Sequence, residues 1–145
     1  GNLFAETFSC AQTAEIPVTV ISAADSSVLW LNYYSIITLC PAACGYHNQL
    51  IRNMLSILAS KNLMLNQKME YLAKRSTRDK LLAYLSDQAV RQGRSEFVIP
   101  FNRQELADFL CVDRSAMSNE LCKLRDEGIL SFHLKNFTLH HTNLC

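Results

Sequence analysis

The sequence predicts an α+β chain in three parts: a β-rich front, one long helix, and a compact helical unit closed by a hairpin. Three observations carry that reading. β-Branched and aromatic residues crowd positions 16–31. Apolar residues between 51 and 72 alternate spacings of four and three. Two short helices with their own capping residues follow one another between 102 and 126. Size and composition agree: 145 residues suffice for one moderate unit and a small one. With 49% apolar and 19% charged residues, wholesale disorder is excluded. No apolar run approaches the ~18 residues a membrane helix needs, and no basic segment leads into an apolar stretch at the front, so neither a membrane span nor a secretory leader is expected.

Charge divides the chain. Residues 1–50 contain no Lys or Arg and carry Glu6, Glu15 and Asp25, a balance of −3; residues 51–145 hold all 14 basic residues and balance at +4. The second part is therefore the one suited to a polyanion. The six cysteines (Cys10, Cys40, Cys44, Cys111, Cys122, Cys145) are read as reduced thiols.

At the front, Ile16–Ile21 is β-branched and partly alternating, Asp25-Ser26-Ser27 is a turn, and Val28–Leu31 is a second apolar run, so two strands are expected. Pro17 places the first at an edge. Two strands cannot bury both faces of a sheet, and the stretch reads as the tail of a larger β-domain whose earlier strands lie elsewhere.

A helix is expected over 46–75. Leu55, Asn62 and Met69 fall at a positions and Ile51, Leu58, Leu65 and Leu72 at d positions of a heptad seam. About 30 residues at 1.5 Å each extend about 45 Å, too far for a helix tucked into a small domain. An amide at an a position needs another amide opposite, which costs stability but fixes register and favours two chains. The plainer alternative is a helix packed on its own domain with Asn62 at the edge. Ile57, Leu63 and Met64 lie off the seam and are expected to pack on the β-rich front; Trp30, Tyr33 and Tyr34 are expected to pack between that front and the long helix. Met54, Met64, Met69 and Met117 read as core or seam fillers.

Ser76 with Asp79 three residues on is a helix-start signature. Leu81, Leu82, Leu85 and Ala89 make the new helix's apolar face, and Gly93 ends it. Phe97–Pro100 reads as a short strand. Three domains follow: 1–45, 46–75 and 76–145.

Asn102 with Glu105 forms a capping box for a helix over 103–110, and Asp113 caps a second over 114–126. Two short helices joined by three residues make a helix-turn-helix. Ala107 lets the backbones approach, while Leu106, Phe109, Leu110, Met117, Leu121 and Leu124 fill the angle. The leading turn of the second helix is what a major groove would meet. It offers Arg114, Ser115, Ser118 and Asn119, donors and acceptors of the kinds that read base edges. Arg103, Lys123 and Arg125 are placed for phosphates, and Gln104 is expected among the DNA-binding residues. Gly128 stops the helix, and 129–133 with 137–140 reads as a β-hairpin wing around Lys135-Asn136.

Residues 76–140 resemble the winged helix-turn-helix of the Crp–Fnr family of bacterial transcription regulators, most closely in Asn102-Arg103-Gln104-Glu105-Leu106-Ala107 and Arg114-Ser115-Ala116-Met117-Ser118. The long helix is similar to that family's dimerisation helix. Gly1-Asn2-Leu3-Phe4-Ala5-Glu6 resembles the Gly-x-x-Phe-Gly-Glu segment of its cyclic-nucleotide-binding β-roll. The resemblance implies a partial β-roll sensor, a dimerisation helix and a winged helix-turn-helix. It implies a cytoplasmic homodimer on palindromic double-stranded DNA, working with RNA polymerase under an unknown small-molecule effector, with no catalysis, resident cofactor, metal or membrane. Ser115 and Asn119 would be the principal base readers, Arg114 would touch a base or phosphate, and Ser118 would support them. Glu6 would hold the effector, as its counterpart holds the ribose in cyclic-AMP-responsive members.

The sequence also departs from the family. Gln12-Thr13-Ala14 stands where an Arg for the cyclic phosphate would be expected, and no basic residue precedes Arg52; cyclic AMP bound in the usual manner is not expected. Cys111 stands where the family often has Gly. Ser115 and Asn119 stand where it often has Glu and Arg, so operator preference should differ.

Other features read more simply. Cys40, Cys44 and His47 could reach one metal, but a fourth ligand is not evident, and two small apolar thiols at a junction suffice. His140-His141 reads as the end of the wing, and Lys74-Arg75-Arg78-Lys80 as a solvated hinge. No phosphate loop, nucleophile elbow or zinc-protease motif is present. The rival to DNA binding is a dimeric signalling or adaptor module using the helix-turn-helix for protein contacts.

Overall fold

The computed structural model describes residues 3–13, 15–38 and 45–140. They form an α+β chain with two compact units, residues 1–63 and 64–145. The division falls inside the long helix α3 (Gly45–Leu72).

In the N-terminal unit, α1 (Glu6–Ala11) and α2 (Tyr33–Ile37) are short helices. Asn32 caps α2, its side chain accepting from the Ser35 N–H at 3.2 Å. The two strands expected at 16–21 and 28–31 are not formed. These residues are extended but belong to no ladder. A strand is completed by a neighbour's N–H and C=O groups, and no described segment supplies them. Their apolar side chains accordingly stay exposed, Trp30 at 83%. Leu63 and Met64 are exposed as well, contrary to the expected packing on this front, while Ile57 and Tyr33 do line a cavity within the unit.

The C-terminal unit is built on α4 (Thr77–Gln92), β1 (Glu96–Val98), α5 (Arg103–Leu110), α6 (Arg114–Asp126), β2 (Leu130–His133) and β3 (Asn136–Leu139). Local signals set most of these boundaries. Ser76 Oγ accepts from the Asp79 N–H at 3.0 Å. Gly93 ends α4 at φ 65°, with the Gly93 and Arg94 N–H groups donating to Val90 and Ala89 carbonyls. Gly128, at φ 73°, closes α6 in the same way: Ile129 donates to the Leu124 carbonyl and Gly128 to that of Arg125.

β1 joins the expected hairpin as a third strand, in the order β1-β3-β2, all antiparallel. The register aligns Phe97, Phe137 and Phe132 in one row across the sheet. Leu81, Leu85, Leu106, Leu110, Met117, Leu121, Leu124, Phe97 and Phe137 are all buried and form the core. α3 contributes Tyr71, whose ring meets Tyr84 edge-on at 5.7 Å. Its hydroxyl donates to Asp87 at 2.7 Å, and Asp87 also pairs with Arg91 at 2.7 Å. The last turns of α3 thus belong to this core.

Candidate nucleic-acid interface

The angle between α5 and α6 is fixed by caps, a small residue and an apolar wedge. Asn102 Oδ1 accepts from the Glu105 N–H at 2.9 Å and Glu105 Oε2 from the Asn102 N–H at 2.6 Å, completing the capping box. Asp113 Oδ1 accepts from the Ala116 N–H at 2.8 Å and starts α6. Between the helices Cys111 turns the chain at φ 51°, ψ 56°, the left-handed region that a side chain disfavours. Ala5 sits likewise at φ 60°. Both positions hold Gly in the pattern this sequence resembles. Cys111→Gly is therefore expected to stabilise the unit by about 0.5–1 kcal/mol, relief of strain exceeding the added unfolded-state entropy; urea unfolding would measure it.

Met117, Leu121 and Leu124 face the core. At 100° per residue the opposite side of α6 carries Ser115, Asn119, Cys122 and Asp126. Ser115 and Asn119 are exposed there, Arg114 is exposed at the leading edge, and Ser118 is half-buried on the flank. The four expected base readers therefore share one end of α6. Cys122 was missed by reading motifs, yet it lies three residues from Asn119 and is an exposed free thiol on that surface.

The expected phosphate contacts are differently engaged. Arg103 stacks its guanidinium over Phe132 and Phe137, 4.7 and 5.0 Å from the ring centres. Burial pulls its pKa down from the ordinary arginine value, with Cys122 acting in the opposite direction. It thus ties α5 to the wing. Gln104 donates to Asp108 at 2.8 Å, Lys123 pairs with Glu120 at 2.5 Å, and Arg125 pairs with Asp126 at 2.9 Å. These exposed pairs are weak enough to be exchanged for phosphate oxygens. Arg78 forks onto Glu127 at 2.9 and 2.5 Å, tying the first turn of α4 to the end of α6.

This geometry is matched by the model of the Crp-like helix-turn-helix domain over residues 79–143. Residues 79–143 thus form a Crp-like helix-turn-helix domain. The structure of FixK2 from Bradyrhizobium japonicum matches with a TM-score of 0.58 at 20% identity, covering 69% of this chain and 52% of that one. That likeness shows the fold, and this chain spans about half the length of the FixK2 chain. No curated protein matches. Among the described residues, no helix is long and apolar enough to cross a membrane, and no cluster of three or more metal-ligating side chains occurs. Cys40, Cys44 and His141 lie outside the described residues; His47 approaches the Ile36 carbonyl.

Beside the Crp-like domain, the N-terminal unit contains a feature the sequence did not reveal. Glu6 is 7% exposed, and its Oε1 lies 2.7 Å from the Lys61 ammonium of α3. Lys61 also donates to the Leu3 carbonyl at 2.7 Å. Burial pushes the Glu6 carboxyl up, but hydrogen bonding to Lys61, to its own backbone N–H and to Thr7, together with the Lys61 charge, outweighs it and holds it below the usual carboxylate value. The carboxylate is therefore ionised at neutral pH.

Proposed function

We propose that the chain acts as a homodimer that reads a palindromic operator through two Crp-like domains, under control of a small molecule bound in the N-terminal unit. In this reading residues 1–45 belong to the sensor, 46–75 to the dimerisation helix and 76–145 to the reader. The observation that carries it is the polar leading end of α6, with Arg114, Ser115 and Asn119 exposed together on a capped, firmly packed helix. Ser115 and Asn119 read base edges, Arg114 a base or phosphate, and Ser118 supports them; Arg103, Gln104 and Lys123 serve the backbone. RNA polymerase is the further partner, the cytoplasm the compartment, and no catalytic step is involved.

Dimerisation is supported by α3. Leu55, Leu65 and Met69, all seam positions, are 61%, 62% and 67% exposed in the single chain, and Ile51, Leu58 and Leu72 are half-buried. Asn62→Leu should raise dimer stability while loosening register or oligomeric state. Sedimentation of both proteins checks this, and an unchanged, less stable oligomer would exclude the seam. Two-fold symmetry sets half-sites about 34 Å apart. Effector control works through Glu6, but cyclic AMP held in the usual manner does not fit, because Gln12-Thr13-Ala14 stands where an Arg for the cyclic phosphate would be needed.

Selection of bound duplexes from a random pool, followed by titration of the selected site against salt, tests the reading. A palindromic consensus and affinity falling steeply with ionic strength are expected. No affinity for any duplex would leave the adaptor role instead.

A further inference from the structure

The N-terminal unit holds an open-sided cavity of about 490 Å³ bordered by α1, residues 27–31, α2 and α3, within the usual range for small-molecule sites. Phe4, Val28, Leu31, Ile36, Met54 and Ile57 make its wall largely apolar. Among the described residues, Glu6 is the one charged side chain in that wall. Its Oε1 is held by Lys61, but Oε2 is buried with no hydrogen-bond partner among the described residues. A buried, ionised oxygen left without a donor is costly, and a donor that reaches it recovers that cost. Glu6 lines the cavity, so a donor held there lies beside this carboxylate.

Charge then decides what fits. Glu6 and Lys61 already neutralise each other, so an added cation would be repelled by the Lys61 ammonium. An anion would meet an ionised carboxylate in an apolar wall. A pure hydrocarbon would fill the cavity and leave Oε2 unanswered. An apolar body with one O–H or N–H group satisfies both the wall and the oxygen. We infer that this cavity binds a neutral, largely apolar small molecule that donates one hydrogen bond to Glu6. The inference gives a ligand class to the effector control proposed above and rests on that reading for its regulatory meaning.

Trp30, the sole tryptophan, lines the cavity and reports on it directly. Because its ring is largely exposed, a ligand that covers it should shift its emission to the blue. The full chain is titrated with 2-phenylethanol, ethylbenzene, phenylacetate and cyclic AMP. The expected result is a saturable shift with 2-phenylethanol, about tenfold weaker binding of ethylbenzene, and no saturable shift with the two anions. In Glu6→Gln the advantage of the alcohol over the hydrocarbon should shrink toward unity. Should that variant unfold, the ligand series on the unmodified chain decides alone. Equal binding of alcohol and hydrocarbon, binding of either anion as tight as that of the alcohol, or no saturable shift with any ligand would each overturn the inference. Duplex binding is measured on the same protein without ligand. Retained duplex binding with no ligand response removes only the cavity's role; a ligand response without duplex binding removes the regulator reading and leaves the cavity.

Discussion

Replacing Asn119 with Ala is expected to weaken binding to the selected duplex by about 1–3 kcal/mol, roughly ten- to a hundredfold, and to leave binding to random duplex unchanged. The expectation follows from where Asn119 stands. It is exposed on the side of α6 opposite Met117, Leu121 and Leu124, so truncating it disturbs no packing. An amide presents a donor and an acceptor together, the pairing that matches an adenine edge. Phosphates offer acceptors only and are the same in every sequence. Competition binding with selected and random duplexes at one salt concentration separates the two roles. Equal loss on both would make Asn119 a backbone contact.

Phe137→Ala is expected to destabilise the C-terminal unit by about 3–5 kcal/mol, a large part of what a domain of this size commands. Phe137 is fully buried on the central strand β3 and touches both neighbours, Phe97 at 6.2 Å and Phe132 at 5.8 Å. It also carries one side of the Arg103 stack. Truncation therefore opens a cavity and loosens the wing from α5 at once. Urea unfolding measures the loss. Arg103→Gln, which keeps the ring and removes only the stack, should cost about 0.5–1 kcal/mol. A loss below 1 kcal/mol for Phe137→Ala would mean that the sheet does not seal the core as described.

What the sequence made legible was local. The caps at Ser76, Asn102 and Asp113 and the stops at Gly93 and Gly128 act within one or two helical turns, and α5 and α6 begin and end where those residues indicate. The apolar angle between α5 and α6 was legible because helical spacing assigns faces without further information. The strands expected at 16–21 and 28–31 failed for the opposite reason. β-Branched composition makes a segment fit for a sheet, but only a non-local partner makes it a strand. The same distance hid the Glu6–Lys61 pair, 55 residues apart, and the pairing of the expected strand at Phe97 with Phe137 of the hairpin. The Arg103 stack on Phe132 and Phe137 was hidden in the same way, because it depends on where the hairpin folds back. Cys122 needed only the 100° arithmetic applied three residues beyond Asn119.

The strand order β1-β3-β2 sets a timetable for synthesis. The strand that leaves the ribosome last lies in the middle of the sheet, bonded on both sides to segments made earlier. Until residue 139 has cleared the exit tunnel, β1 and β2 have no common partner and the helices above them have no floor. The reader is thus assembled only after translation has passed that point, and a nascent chain arrested before it holds α6 without the surface that orients it.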